Sequence, residues 1–164
     1  MMDAAALAEN VRSAMRRTAS GVAVLATDGP GGLAGVTIST LCSLSLEPPS
    51  VIACVHRDSR AIPPVLANGL FSANILSEGQ EHVASAFAGF IPEHKDDRFG
   101  AGHWVTANGV PRLEGSVASF LCHLADRHAF GTHVILIGRI FDVTASANLP
   151  LIYADRSFHN LTPA

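Results

Sequence analysis

Charge is what this sequence has least of. Only 15% of its 164 residues are Asp, Glu, Lys or Arg, against 48% that are hydrophobic, where a soluble domain ordinarily carries about 25% charged residues. The net charge of -3 and the scattered lysines and arginines exclude the basic stripe that nucleic acid or an anionic lipid surface requires. Cysteine is scarce as well. Cys42, Cys54 and Cys122 are odd in number and have no CxxC spacing, which argues against a disulfide framework or a zinc ribbon and for reduced thiols in a cytosol. No apolar run approaches the roughly 20 residues of a membrane span. Asp3 and Glu9 interrupt the stretch where a secretory peptide would be apolar, so a soluble, cytoplasmic protein is expected. The length suits one domain over residues 1–164. Such low charge points to an apolar subunit interface or to a large core needing few surface charges.

Several catalytic signatures are missing too. The eight histidines form neither HxH nor HExxH, and His123, His128 and His133 recur every five residues, a period of neither helix nor strand. No G-x-S-x-G elbow accompanies the many serines. Asp96 and Asp97 lie in a charge-mixed loop rather than as an isolated acid pair. "GPGGLA", Gly29 to Ala34, matches the letters of a dinucleotide fingerprint. The β-branched "GVTIST" that follows is a poor helix start, however, and a hairpin turn is the better reading.

What is present is a regular alternation of short elements. Leu7, Val11, Ala14 and Met15 recur at helical spacing and predict a helix over 4–18. "VAVLAT", "SVIACVH", "LFSANIL", "GSVASFLCHLA" and "HVILIGRIFDVTA" read as strands, the last two joined by "DRHAFGT". A short helical piece is expected at "SRAIPPVLANG", and Ser77 with Gln80 has the spacing of a capping box before a helix. "NG" at 108 and 109 signals a hairpin. Six or more mostly sequential strands with two or three helices predict a closed or split β-barrel with helices at its ends.

"GVTISTLCSLSLEPP", Gly35 to Pro49, reads as one strand whose alternation sets Thr37, Ser39, Ser43 and Ser45 on one face. "DSR" places Ser59 and Arg60 between a strand and a helical start, where a hydroxyl, backbone N–H groups and a guanidinium can converge on a phosphate. His133 directly follows a glycine-containing turn, a position that presents an imidazole to a cleft.

Taken in order, "AMRRTASGVAVLAT", "GVTISTLCSLSLEPPSV", "DSR", "FSANILSEGQEHVASAFAG", "GVPRLEGSVASFLCHL", "GTHVILIGRI" and "PLIYADRSF" resemble the blocks of the flavin reductase family of two-component monooxygenases, from about Val11 to Leu161. The resemblance implies a mainly β, Greek-key-like, FMN-binding split barrel over about 21–161. It also implies transfer of hydride from NADH or NADPH to FMN or FAD. By the same resemblance Thr37, Ser39, Thr40, Cys42 and Ser43 border the flavin, Ser59 and Arg60 bind its phosphate, Asn74 and Ser77 line the site nearby, and His133 sits beside the nicotinamide. A homodimer with the flavin at its interface is implied, with reduced flavin passing to a partner oxygenase or, in a branch of the family, electrons passing to a cobalt corrinoid. A reductase that holds FMN tightly, or a non-catalytic flavin-binding electron carrier, are the other readings. The chain departs from the family where Thr132 replaces the usual aspartate before His133, where Phe158 replaces a tyrosine, and where Thr40 replaces a second serine.

Overall fold

The computed structural model describes residues 3–162. Helix α1 (Ala4–Met15) starts where the Asp3 carboxylate accepts the N–H of Ala6 at 2.7 Å, and it ends three residues before the expected 18. None of its residues is buried, so the stripe of Leu7, Val11 and Met15 lies on the surface. Then follow β1 (Ser20–Gly21), β2 (Ala23–Thr27), β3 (Ala34–Ile38), β4 (Cys42–Leu46), β5 (Pro49–His56), α2 (Ile62–Asn68), β6 (Leu70–Ile75) and α3 (Glu81–Ala88). After two single 3-10 turns come β7 (Trp104–Ala107), β8 (Val110–Leu113), β9 (Ala118–Phe130), β10 (His133–Ala145), β11 (Ile152–Ala154) and β12 (Ser157–His159).

Seven strands form one antiparallel sheet in the order β3-β2-β6-β9-β10-β5-β4. Its two edge strands, β3 and β4, are consecutive in the chain and separated only by residues 39–41. Four Cα steps of at most about 3.6 Å span roughly 14 Å, so the sheet curls until its edges nearly meet, as a split barrel requires. The single strand expected over "GVTISTLCSLSLEPP" is therefore two. The chain leaves one edge after Ile38, which pairs with Ala23, and joins the other at Cys42, which pairs with Ile52. Thr40 bridges the seam, its hydroxyl donating to the Cys54 carbonyl at 2.8 Å and accepting the Cys54 N–H at 3.1 Å.

Strand β2 is buried on both faces, which explains why "VAVLAT" reads as an unbroken apolar run. Ala23 and Leu25 belong to the barrel interior with Val51, Ala53, Phe71 and Leu136. Val22 and Val24 face a second cluster with Leu76, Phe87, Leu113 and Leu151. Helix α3 closes that second cluster against β3. The approach is close at Gly35, where a Cβ would stand 2.5 Å from the Phe87 ring.

The β9–β10 hairpin is longer than expected, because the predicted linker "DRHAF" continues β9 as far as Phe130. Its turn is only Gly131 and Thr132, with Gly131 at φ +56°, the position where a two-residue hairpin takes glycine. Most of this arm is exposed and so lacks the apolar alternation that marks a strand. It is held by ladder bonds to β10, whose other side pairs with β5 from His133–His56 to Arg139–Ser50. A second tight hairpin, β11–β12, turns through Asp155 and Arg156, both at positive φ.

Candidate functional site

Three chain segments far apart in sequence meet at the open end of the seam. The end of β3 with the crossing brings Thr37, Ser39 and Thr40, the end of β5 with the turn after it brings Cys54, His56 and Ser59, and the β9–β10 hairpin brings His133. Together they line a cleft of about 240 Å³. Thr37 and Ser39 also border a second, more apolar cleft of about 180 Å³ with Phe90, Tyr153 and Phe158.

Hydrogen bonds divide these side chains by availability. Thr37 donates to the Ala84 carbonyl of α3 at 2.7 Å, and Thr40 is committed to Cys54, so each keeps only acceptor lone pairs for a ligand. Ser39 is exposed and has no partner among the described residues. Ser59 accepts the Ala61 N–H at 3.3 Å and keeps its own O–H free to donate. His133 is oriented by its neighbour, its Nδ1 lying 2.9 Å from the Thr132 hydroxyl.

Arg60 has no ion pair or hydrogen bond among the described residues. It borders a neighbouring groove of about 300 Å³ with Gly35, Lys95, Arg98 and the two carboxylates Asp96 and Asp97. The amide donors expected beside it are not available. Ala61 N–H and Ile62 N–H already bond to Ser59, and Pro63 and Pro64 in the first turn of α2 have no N–H. Any phosphate here would rely on side chains and on the Arg60 N–H, which has no partner among the described residues.

Four expected residues lie elsewhere. Asn74 is 0% exposed, and all four hydrogen-bonding positions of its amide are used. It donates to the Val24 carbonyl and the Ser72 hydroxyl, and it accepts from Leu113 N–H and the Ser119 hydroxyl. It ties β2, β6, β8 and β9 together and has nothing to offer a ligand. Ser77 is buried, donates to the Gly115 carbonyl at 2.7 Å, and receives the Gln80 side chain on its N–H. The Gln80 half of the expected capping box is thus formed, but α3 itself begins at Glu81 with no side-chain cap. Cys42 and Ser43 fall beyond the seam in a separate, mainly apolar groove with Leu46, Phe120 and Ile140. Crossing from one sheet edge to the other breaks the row of hydroxyls that one strand would have aligned.

Sequence reasoning missed His56 and Cys54. The signal was there in part: "SVIACVH" ends on a histidine and "HVILIG" begins on one, and antiparallel pairing brings those two ends together. Cys122 lines none of these clefts. Burial pushes its thiol up to about 12, which keeps it protonated and inert. Among the described residues no group of three or more His, Cys, Asp or Glu is placed to hold a metal, and no helix is long and apolar enough to cross a membrane.

Residues 15–162 match the family model described as "Flavin reductase like domain". The chain is 42% identical over 165 residues to "FMN reductase (NADH) RutF 1" of Methylorubrum extorquens, covering 99% of this chain and 79% of that one. Among solved structures, the NADH:FAD oxidoreductase SgcE6 of Streptomyces globisporus C-1027 superposes with a TM-score of 0.87 at 27% identity, covering 100% of this chain and 92% of that one. The styrene monooxygenase flavin reductase of Pseudomonas putida S12 superposes with a TM-score of 0.83 at 25% identity, covering 94% of this chain and 99% of its own.

Proposed function

The chain belongs to the flavin reductase like domain family and is an NAD(P)H:flavin oxidoreductase; from that premise we propose that the cleft at the barrel seam is where the reduced nicotinamide and the flavin meet. The observation that carries this reading is the convergence of Ser39, Ser59 and His133 from three distant segments on one cleft walled by small side chains. FMN and NADH are the pair we assign, because a relative 42% identical to this chain carries both in its name.

The donor set fits a flavin. Ring carbonyls and a phosphate need hydrogen-bond donors, and Ser39 and Ser59 have hydroxyls free to donate while Arg60 has an unpaired guanidinium. When bound, the flavin supplies the hydride acceptor and passes the electrons on. The chain supplies position and charge. Thr37 and Thr40 hold the wall from α3 and β5 and turn lone pairs inward, and Arg60 offsets the phosphate charge. His133, with Nδ1 held by Thr132, orients the nicotinamide. Hydride moves with its electron pair, so no side chain need remove a proton.

We assign the product, reduced flavin, to a partner oxygenase, as the name of the styrene monooxygenase reductase suggests for that protein. The working form is proposed as a cytoplasmic homodimer. The low charge and the exposed Leu44, Leu46, Phe141 and Val143 support a covered face, and the three unpaired cysteines suit a reducing compartment.

Steady-state NADH oxidation with and without added FMN tests the reading. Stimulation by FMN is expected, and sedimentation of the same preparation should give twice the monomer mass. Turnover indifferent to added flavin would indicate a retained cofactor, and no turnover at all would overturn the assignment of the cleft.

A further inference from the structure

The cleft contains a second imidazole for which the reading above has no use. His56 closes β5 directly opposite His133, which opens β10. Residues opposite one another in an antiparallel pair project their side chains to the same face, with Cβ atoms about 4.5–5.5 Å apart. The two rings meet edge to face, with centroids 5.3 Å apart and planes at 75°, a favoured geometry for ring pairs. Both line the cleft that also holds Ser39 and Ser59.

Each ring has one nitrogen engaged. His56 Nδ1 accepts the Asp58 N–H at 3.3 Å, and His133 Nδ1 is held by the Thr132 hydroxyl. The backbones are fastened together just beyond the pair. Arg57 N–H donates to the Thr132 carbonyl at 2.9 Å, and the Arg57 guanidinium reaches the Gly131 carbonyl at 3.3 Å. The charged groups beside His56 are Asp58, with a carboxylate oxygen 3.8 Å from Nδ1, and Arg57, itself 3.9 Å from Asp58. His133 is an exposed residue at the tip of an exposed hairpin, where an unsupported side chain samples several rotamers. The His56 ring stands against it on the side facing β5.

We propose that His56 is a positioning residue for the donor side of the cleft: it holds the His133 ring edge-on across the β5–β10 ladder, so that the nicotinamide meets an imidazole already oriented. This rests on the assignment of the cleft to flavin and nicotinamide given above. It adds a specific dependence of one histidine on the other.

A double-mutant cycle read by anaerobic stopped-flow reduction of FMN by NADH tests it. His56→Ala should lower the reduction rate at subsaturating NADH by about threefold to tenfold, the scale of one ring-pair contact, while FMN affinity from fluorescence titration stays within about twofold. His56→Phe, which keeps an edge-on ring, should recover most of the loss. In a His133→Ala background the further change His56→Ala should have almost no effect, because the residue it acts through is gone. Equal losses in both backgrounds, an unchanged rate in His56→Ala, or a matching loss of FMN affinity would overturn the proposal. The wild-type trace separates the two claims. If wild type reduces FMN and the cycle shows no coupling, only the role of His56 falls, whereas a wild type that cannot reduce FMN removes the cleft assignment and this role with it.

Discussion

Arg60 stands beside the cleft without an ion pair among the described residues, in a groove that it shares with Asp96, Asp97, Lys95 and Arg98, and the amides that follow it are spent on Ser59 or absent in proline. A phosphate held at this point would draw on that guanidinium, the Arg60 N–H and the Ser59 hydroxyl. A hydrogen bond to a charged group contributes about 1.5–3 kcal/mol, and the exposure of Arg60 keeps it at the low end. Arg60→Ala should therefore weaken FMN binding by about tenfold, and riboflavin binding, which lacks the phosphate, by much less. Fluorescence titration of both ligands checks this, and equal losses would make Arg60 a structural residue. At this scale a side chain that follows a break in a strand could be placed from the sequence: Ser59 and His133 line one cleft, while Arg60 borders the next groove. The sequence was not legible at Asn74 or Ser77. A polar residue on a strand looks the same in sequence whether it faces a ligand or saturates its bonds inside a core, and only the four partners of Asn74 decide the matter.

Among the elements, the crossing from β3 to β4 is the most consequential. "STL" between them contains neither glycine nor proline, and β-forming residues run straight through, so a continuous strand was the natural expectation. What breaks it is tertiary: each half finds a partner at a different edge of the same sheet. Thr40 then stands in for a missing ladder residue by bonding both backbone groups of Cys54. Thr40→Val removes both bonds with little change in shape. Because the site is open to water, the expected cost is near 1 kcal/mol, a fall of about 2–4 °C in Tm for a domain of this size. Thr40→Ser should retain most of the stability. Thermal melts of the two variants decide this, and a Val variant as stable as the Ser variant would mean that the seam is held by the sheet alone. The hairpin arm of β9 escaped notice for the opposite reason: it is a strand with little buried face to betray it.

For the whole molecule, the order of most elements was legible because they are punctuated locally, by Gly69 after α2, by Asn108 and Gly109 between β7 and β8, and by Gly131 before β10. The site could not be read from any one stretch. It exists because a sheet that curls on itself brings residues 37–40, 54–59 and 133 to one opening. On the assignment proposed for this cleft, hydride transfer takes place there, with His133 on the donor side. Losing a side chain that orients one reactant should slow the reaction without releasing the other. The most direct measurement is stopped-flow reduction by NADH at saturating FMN, comparing wild type with His133→Ala. A fall of about tenfold to a hundredfold in kcat/KM for NADH is expected, the size of one or two hydrogen-bond-scale interactions, with FMN affinity within a few-fold of wild type. An unchanged reduction rate and unchanged NADH affinity in His133→Ala would contradict it.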